Sequence, residues 1–225
     1  SDVCSSDLAG TMLLGESSAG VRLGAWLLSI LASLAVWRTA LWALRDSTAA
    51  LLAVLIFNLT PMVSVEALAA TPDAPEIAAA AILLWTLTRV AETGAGEWWL
   101  AAGLAAGLAL LSKYTGFFLG AGILAWLLLV RRERRWFLSP WPYAGCVLAL
   151  AIFAPVVLWN ARHEWVSFAL QFGRAAAGGL TLRFLGEFLG VQLLLATPFI
   201  ALFAAAGFTR ALLDRKSTRL NPSHV

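Results

Sequence analysis

Short polar motifs interrupt an otherwise apolar chain of 225 residues, and each carries side chains that can do chemistry. The first motif is Thr71-Pro72-Asp73-Ala74-Pro75, in which two prolines hold a carboxylate in a stiff turn. A carboxylate fixed in this way can bind a metal or polarise an acceptor hydroxyl, which makes Asp73 the candidate catalytic residue. The alternative is that Asp73 only caps the helix starting near Pro75, because aspartate is a preferred capping residue.

The second motif, Leu111-Ser112-Lys113-Tyr114-Thr115, joins two apolar segments. It is too short for a floppy loop and predicts a tight hairpin that fixes Lys113. A cation at headgroup depth can hold a phosphate, so Lys113 and the adjacent Tyr114 are candidate substrate-binding residues. The alternative is that Lys113 only snorkels to the membrane interface, as a lysine at a helix end commonly does.

The third motif runs from Trp159 to Trp165 and is followed by two further polar residues. It belongs to the longest polar connection and can form an amphipathic helix on a membrane surface. Its candidate binding residues are His163, Glu164, Gln171 and Arg174. A histidine can serve as a metal ligand or a proton carrier, but a single histidine beside a glutamate often does neither. The sequence contains no HExxH motif and no Cys/His spacing that would specify a metal.

Composition restricts the elements that must position these motifs. Sixty per cent of the residues are hydrophobic and 13% are charged, whereas soluble domains are about 45–50% apolar and about 25% charged. The chain therefore has too little polar surface for a cytosolic domain, a nucleic-acid-binding protein or a disordered segment. Two cysteines do not make a disulfide framework. The remaining class is a polytopic membrane protein that binds no nucleic acid.

The apolar runs predict an all-α transmembrane bundle, because a spanning helix needs about 20 mostly apolar residues. We expect about seven spans: Leu23–Leu44, Ala49–Leu68, Pro75–Ala91, Trp98–Ser112, Thr115–Val130, Trp141–Trp159 and Phe184–Gly207. Tryptophans near the span ends, including Trp99 and Trp136, fit an interfacial aromatic belt. Three glycine pairs are spaced for close helix packing, namely Gly103 and Gly107, Gly116 and Gly120, and Gly186 and Gly190.

Orientation follows from arginine and lysine, which concentrate in cytoplasmic loops. The strongest basic block is Arg131–Arg135, and placing it in the cytoplasm puts the three polar motifs on the outer face. Arg22 also falls there, at the start of the first span, as an anchor or a phosphate contact. Cations and carboxylates from four separate segments thus converge on one face.

Both termini differ from the apolar body of the chain. Residues 1–8 and 215–225 are polar and aperiodic, and they resemble translated library-adapter sequence. We expect them to be a non-native leader and tail. Residues 9–214 would then be an internal fragment of a longer membrane protein, truncated at both ends.

The ordered motifs resemble a known family. They are Gly15-Glu16-Ser17-Ser18-Ala19-Gly20-Val21-Arg22-Leu23, the Asp73 turn, the segment from Gly107 to Thr115, and the segment from Pro155 to Arg174. In this order they resemble the GT-C-class membrane glycosyltransferases of glycosyltransferase family 39, which include the protein O-mannosyltransferases and the lipid A aminoarabinose transferase. The resemblance covers most of residues 10–207.

The resemblance implies a GT-C fold in a bacterial inner membrane, with a catalytic cavity that opens to the periplasm. A polyprenyl-phosphate-linked sugar would be the donor, and a hydroxyl on a protein, lipid or glycan the acceptor. Asp73 matches the acidic residue of the family's second outer loop, and Lys113 and Arg22 would hold the lipid phosphate. The resemblance leaves room for a divalent cation but specifies no ligand set.

One departure separates the chain from the family pattern. The family's principal catalytic carboxylate lies in a first outer loop, and here the match begins only after that loop. We therefore expect the chain as written to be inactive, although its parent gene would encode an enzyme. Two other classes stay open: a fragment of a secondary transporter and a non-enzymatic membrane scaffold. A transporter would place its polar groups nearer the bilayer midplane.

Overall fold

The computed structural model describes residues 11–12, 15, 17–69, 71, 73–177, 185–187, 190–191 and 202, without the side chains of 67–69, 171–172 and 174–177. The chain divides into two compact units, one of residues 1–59 and 63–177 and the other of residues 60–62 and 178–225. Only short pieces of the second unit are described. The predicted seventh span, Phe184–Gly207, lies almost wholly outside the described residues.

The described chain is helical and contains no strand in those ranges, as the sequence predicts. Tight polar caps separate the helices: Ser17 Oγ accepts from Gly20 N at 3.0 Å, and Asp46 Oδ1 accepts from Thr48 N at 2.7 Å. Two 3₁₀ segments, Tyr114–Gly116 and Arg131–Leu138, flank the sixth helix. The α-helices are α1 (Ser18–Leu44), α2 (Ser47–Leu59), α3 (Pro61–Ala69), α4 (Asp73–Thr93), α5 (Trp98–Ser112), α6 (Phe117–Leu129), α7 (Pro140–Arg162) and α8 (Val166–Ala177).

Three of these helices, α1, α4 and α7, are long and apolar enough to cross a membrane. A fourth span is present if α6 is counted with the 3₁₀ segment behind it, although the two are bent by 110°. The seven predicted spans are therefore only partly found. The predicted Ala49–Leu68 span is divided at Pro61, which has no N–H to continue a helix. Helix α5 has 15 residues and covers only about 22 Å at about 1.5 Å per residue.

Glycine allows α5 and α7 to cross in direct backbone contact. A Cβ built on Gly103 would lie 2.2 Å from the carbonyl oxygen of Gly145, and one on Gly107 would lie 2.9 Å from Ile152. The predicted close packing is thus confirmed at Gly103 and Gly107, but it is not found at Gly120, Gly186 or Gly190, where an added Cβ would meet nothing within 4 Å among the described residues. On the other side, α4 packs against α1 through alanines, namely Ala32, Ala35, Ala78 and Ala81.

Of the six tryptophans expected in an interfacial belt (Trp98, Trp99, Trp136, Trp141, Trp159 and Trp165), two lie inside the bundle, whereas Trp141, Trp159 and Trp165 are exposed. Trp99 is 3% exposed and Trp136 is 6% exposed, with their rings 5.7 Å apart in an edge-to-face arrangement. The belt prediction is wrong for this pair. Trp99 also lies 6.3 Å from Trp126 of α6, and Trp99 and Trp136 belong to one buried apolar cluster with Leu83, Val90 and Leu127.

Candidate active site

Asp73 and Lys113 form an ion pair that joins two connections far apart in the sequence. Lys113 Nζ donates to Asp73 Oδ1 at 2.6 Å, and the side chains are 43% and 25% exposed, respectively. Asp73 is the first residue of α4, and Lys113 follows the last residue of α5. Because α4 and α5 run antiparallel, these two ends meet at one end of the bundle.

The local hydrogen bonds decide between the two interpretations of Asp73. Thr71 Oγ1 accepts from Asp73 N at 3.3 Å, and Thr71 O accepts from Ala74 N at 3.2 Å. Thr71 therefore caps α4 in place of Asp73. The Asp73 carboxylate points to Lys113, so it is a fixed anionic group on the surface and the capping interpretation is wrong.

The hairpin that carries Lys113 is held by close backbone contacts. Lys113 is extended, its N–H donates to Ala109 O at 3.0 Å, and its carbonyl accepts from Gly116 N at 3.0 Å. A Cβ on Gly116 would lie 2.8 Å from Leu110 N, so a side chain there would push the turn away from α5. The geometry confirms the tight hairpin that the sequence predicts.

Two more carboxylates surround the pair. Thr115 Oγ1 donates a short hydrogen bond to Glu76 Oε1, which ties the hairpin to the first turn of α4 a second time. Glu66 Oε2 is buried and has no hydrogen-bond partner among the described residues. The hydrogen bond from Asp73 raises the pKa of Lys113, burial opposes this rise, and the charges of Asp73, Glu76 and Glu66 add to it. Lys113 is therefore a permanent cation and does not act as a base.

Tyr114 connects the hairpin to the third motif. Its ring lies 6.2 Å from Phe153 of α7 and 5.0 Å from Phe168 of α8. Asn160, which is 1% exposed, holds the turn between these helices by accepting from Ser167 N through Oδ1 at 3.2 Å. The segment that follows Trp159 is consequently packed beside the Lys113 hairpin, and its predicted helix is present as α8.

The comparisons with known proteins agree with this arrangement. A family model described as dolichyl-phosphate-mannose-protein mannosyltransferase matches residues 8–159, more than half of the chain. The chain belongs to this family. Searches of curated proteins and of solved structures found no significant match. Family membership makes the protein a mannosyltransferase-like membrane glycosyltransferase, and such an enzyme uses a lipid-linked sugar donor and an acceptor. The long apolar helices fit a membrane protein.

The other residues that the family resemblance suggested are not part of the ion pair. Arg22 is exposed and, within the described part of the chain, has no ion-pair or hydrogen-bond partner. His163 stacks on Trp159 with centroids 4.1 Å apart, and its Nδ1 lies 2.7 Å from Trp159 O. Glu164 is exposed in a left-handed backbone conformation with φ 55°. The side chains of Gln171 and Arg174 lie outside the described residues.

No group of three or more metal-ligating side chains is found in the residues that the structure describes. Sequence reasoning assigned no specific role to Thr115, Glu76 or Asn160. The signal for Thr115 was its place in the hairpin motif, and the signal for Glu76 was its place in the first turn after the Asp73 motif. No comparable signal pointed to Asn160, since its importance depends on the turn it closes.

Proposed function

We propose that the protein is the core of a glycosyltransferase that moves a sugar from a polyprenyl-phosphate donor to an acceptor hydroxyl. We place its active face on the periplasmic side of a bacterial inner membrane. The observation that carries the proposal is the Asp73–Lys113 ion pair, which fixes a permanent cation beside a carboxylate at one end of an apolar bundle. A lipid-phosphate donor needs a cation at that depth.

Lys113 is proposed to hold the donor phosphate while it stays bound to Asp73. An ammonium has three N–H donors, and Asp73 accepts one of them. The remaining donors face outward, because the side chain is 43% exposed. In this role Asp73 positions the cation, and Lys113 stabilises the negative charge that develops on the leaving phosphate.

The carboxylates near Lys113 are suited to assist the attack of the acceptor hydroxyl on the sugar. The acceptor oxygen attacks the anomeric carbon, the bond from that carbon to the phosphate oxygen breaks, and the lipid phosphate leaves with the electron pair. Glycosyl transfer develops positive charge on the sugar, which nearby carboxylates stabilise. Asp73 and Glu76 lie where they can orient the acceptor, and the hydroxyl proton passes to a carboxylate. The family resemblance expects the principal base in the first outer loop.

An apolar cavity of about 360 Å³ next to the hairpin suits the donor's lipid chain. It begins at Gly116 and Phe117, three and four residues after Lys113, and continues between α5, α6 and α7. A polyprenyl chain is a hydrocarbon, so burying it among such side chains is favourable. Leucines contribute much of the lining, namely Leu110, Leu124, Leu127 and Leu150.

The proposed face follows from the charge distribution along the bundle. Arg132 Nη2 donates to Ala91 O at 3.3 Å, which places the basic block at the end of α4 that is opposite Asp73. Basic loops stay in the cytoplasm, so the ion pair belongs on the other side. Asp73 and Lys113 also lie at helix ends, whereas a transporter site is expected near the midplane.

The test is binding of a long-chain polyprenyl phosphate to the purified chain in neutral-lipid nanodiscs. Binding tests the phosphate site without requiring the upstream carboxylate that turnover needs. We expect Lys113→Gln to weaken binding about tenfold, or ~1.4 kcal/mol, and Lys113→Arg to retain most of it. Asp73→Asn should bind at least as tightly as wild type, because it removes a negative charge next to the phosphate.

Two controls make the result specific. Arg131→Gln removes one exposed cation at the far end of the bundle and should leave binding unchanged. The uncharged polyprenol should bind much more weakly than its phosphate. If Lys113→Gln binds as well as wild type, or the polyprenol binds as well as the phosphate, the ion pair is only structural and the proposal is wrong. Arg22→Gln measures whether the second predicted cation contributes.

A further inference from the structure

A second cavity, which is polar, lies at the end of α1 and α4 that is opposite Asp73 and Lys113. It measures about 410 Å³ and is enclosed by the last turns of α1 and α4 together with the first residue of α5. Arg89 of α4 follows Asp73 by sixteen residues, on the order of 24 Å along the helix. That separation approaches the hydrocarbon thickness of a bilayer, about 30 Å. The cavity therefore faces the opposite membrane surface.

The lining of this cavity is electropositive. Arg38, Arg45 and Arg89 face it, against a single carboxylate, Glu92. Arg89 pairs with Glu92, whereas Arg38 and Arg45 have no carboxylate partner among the described residues. The cavity thus contains at least two guanidinium groups whose charge is not neutralised by a carboxylate of the described residues.

Three tryptophans of the lining form an aromatic wall, and one of them contacts an arginine. The guanidinium of Arg89 lies 5.2 Å from the ring centroid of Trp98, whereas that of Arg38 lies 5.4 Å from Trp37, which is outside the lining. Trp85 meets Trp98 edge to face with centroids 5.8 Å apart, and Trp42 completes the wall. Indoles favour the depth of lipid headgroups, where one end is apolar and the other is wet.

We propose that this cavity binds a phosphate ester, with the headgroup of an anionic phospholipid as its first candidate source. Arginines bind phosphate oxygens through two parallel hydrogen bonds, and a basic pocket between membrane helices is the usual setting for a lipid headgroup. A soluble phosphate ester offers the same group without the acyl chains. This site is separate from the donor site and does not depend on the proposed function.

The experiment counts phospholipid molecules retained by the purified full chain in native mass spectrometry, after exchange into neutral detergent with added phosphatidylglycerol. The variants are Arg38→Gln, Arg89→Gln and Arg89→Lys. Arg131→Gln is the matched control, because it removes the same charge at the same end of the bundle outside the cavity. A parallel titration replaces phosphatidylglycerol with glycerol phosphate, and a third replaces it with phosphatidylcholine.

We expect Arg38→Gln and Arg89→Gln each to need about ten times more phosphatidylglycerol than wild type or Arg131→Gln for the same occupancy. Arg89→Lys should need an amount of phosphatidylglycerol between those of wild type and Arg89→Gln. Lysine keeps the positive charge but cannot form the two parallel hydrogen bonds of a guanidinium. Arg38 is exposed, so its variant folds even if an Arg89 variant does not. If wild type binds glycerol phosphate but retains no phospholipid, and the same variants lose the binding of glycerol phosphate, the site is assigned to a soluble phosphate ester. Equal retention by Arg38→Gln and Arg131→Gln, or equal retention of phosphatidylcholine, would overturn the proposal.

Discussion

Replacing Gly103 with alanine should force the two central helices apart. The added Cβ would lie 2.2 Å from the Gly145 carbonyl oxygen, and ordinary contacts between such atoms are about 3.3–3.6 Å. The obstacle is backbone, which cannot rotate away, so α5 and α7 must separate by roughly 1 Å. Overpacking of this kind costs about 1–3 kcal/mol, and alanine regains at most about 1 kcal/mol of helix propensity. We expect a net loss of about 2 kcal/mol.

Gly120→Ala is the matched control, because it is the same substitution in a neighbouring apolar helix. A Cβ at Gly120 meets nothing within 4 Å, so only the gain in propensity applies and the variant should be slightly more stable than wild type. Thermal unfolding in one detergent, followed by tryptophan fluorescence, compares the three proteins. A Gly103→Ala protein as stable as wild type, or a Gly120→Ala protein equally destabilised, would refute the backbone contact between α5 and α7.

Three further predictions concern the bonds that hold the polar segments. Glu133→Ala should cost about 1–3 kcal/mol in thermal unfolding and Glu133→Gln much less, because buried Glu133 accepts from Trp136 Nε1 at 3.0 Å. Asn160→Ala should speed proteolysis of the α7–α8 turn and Asn160→Asp should do so less, since Asp keeps the acceptor for Ser167 N but loses the donor to Val156 O. The pKa of Lys113 is raised chiefly by its hydrogen bond to a carboxylate, so its stabilising contribution is complete below about pH 10.4 and declines as pH rises further. Unfolding measured from pH 8 to 11 should show this decline in wild type and its absence in Lys113→Gln.

The sequence predicted which motifs lie close together more reliably than which bonds each of their residues makes. Asp73 and Lys113 were predicted to share one face because their loops alternate across the membrane. Their ion pair depends on α4 and α5 packing side by side, which no local pattern encodes. Thr71 has the capping role, because its side chain lies two residues before the helix and accepts from the free N–H of Asp73. Local propensity ranks capping residues, but the surrounding packing selects one of them.

The helix count was harder to predict, because composition does not reveal where a helix ends. The apolar run from Ala49 to Leu68 reads as one span, yet a single proline at position 61 divides it. The location of Trp99 and Trp136 was predicted wrongly for a related reason. An indole near a span end suits either a lipid interface or a core, and Trp99 lies in the core because its ring packs against Trp126 and Trp136. Glu133 is similar, since a carboxylate within an arginine block would normally be exposed.

Acidic residues at the first turn of a helix stabilise it through the helix dipole, so charge alone does not identify a site. The first turn of α4 carries Asp73 and Glu76, whereas its last turn carries no basic residue. Asp73 differs because its carboxylate is bound by a cation from another helix and leaves the capping to Thr71. Arg89 differs because it lines a cavity with two arginines that have no carboxylate partner among the described residues. In both places the side chains are arranged beyond what the dipole requires. The two ligands that we propose, one at each end of the bundle, are our explanation for this arrangement, and the charge controls at Arg131 separate it from general electrostatics.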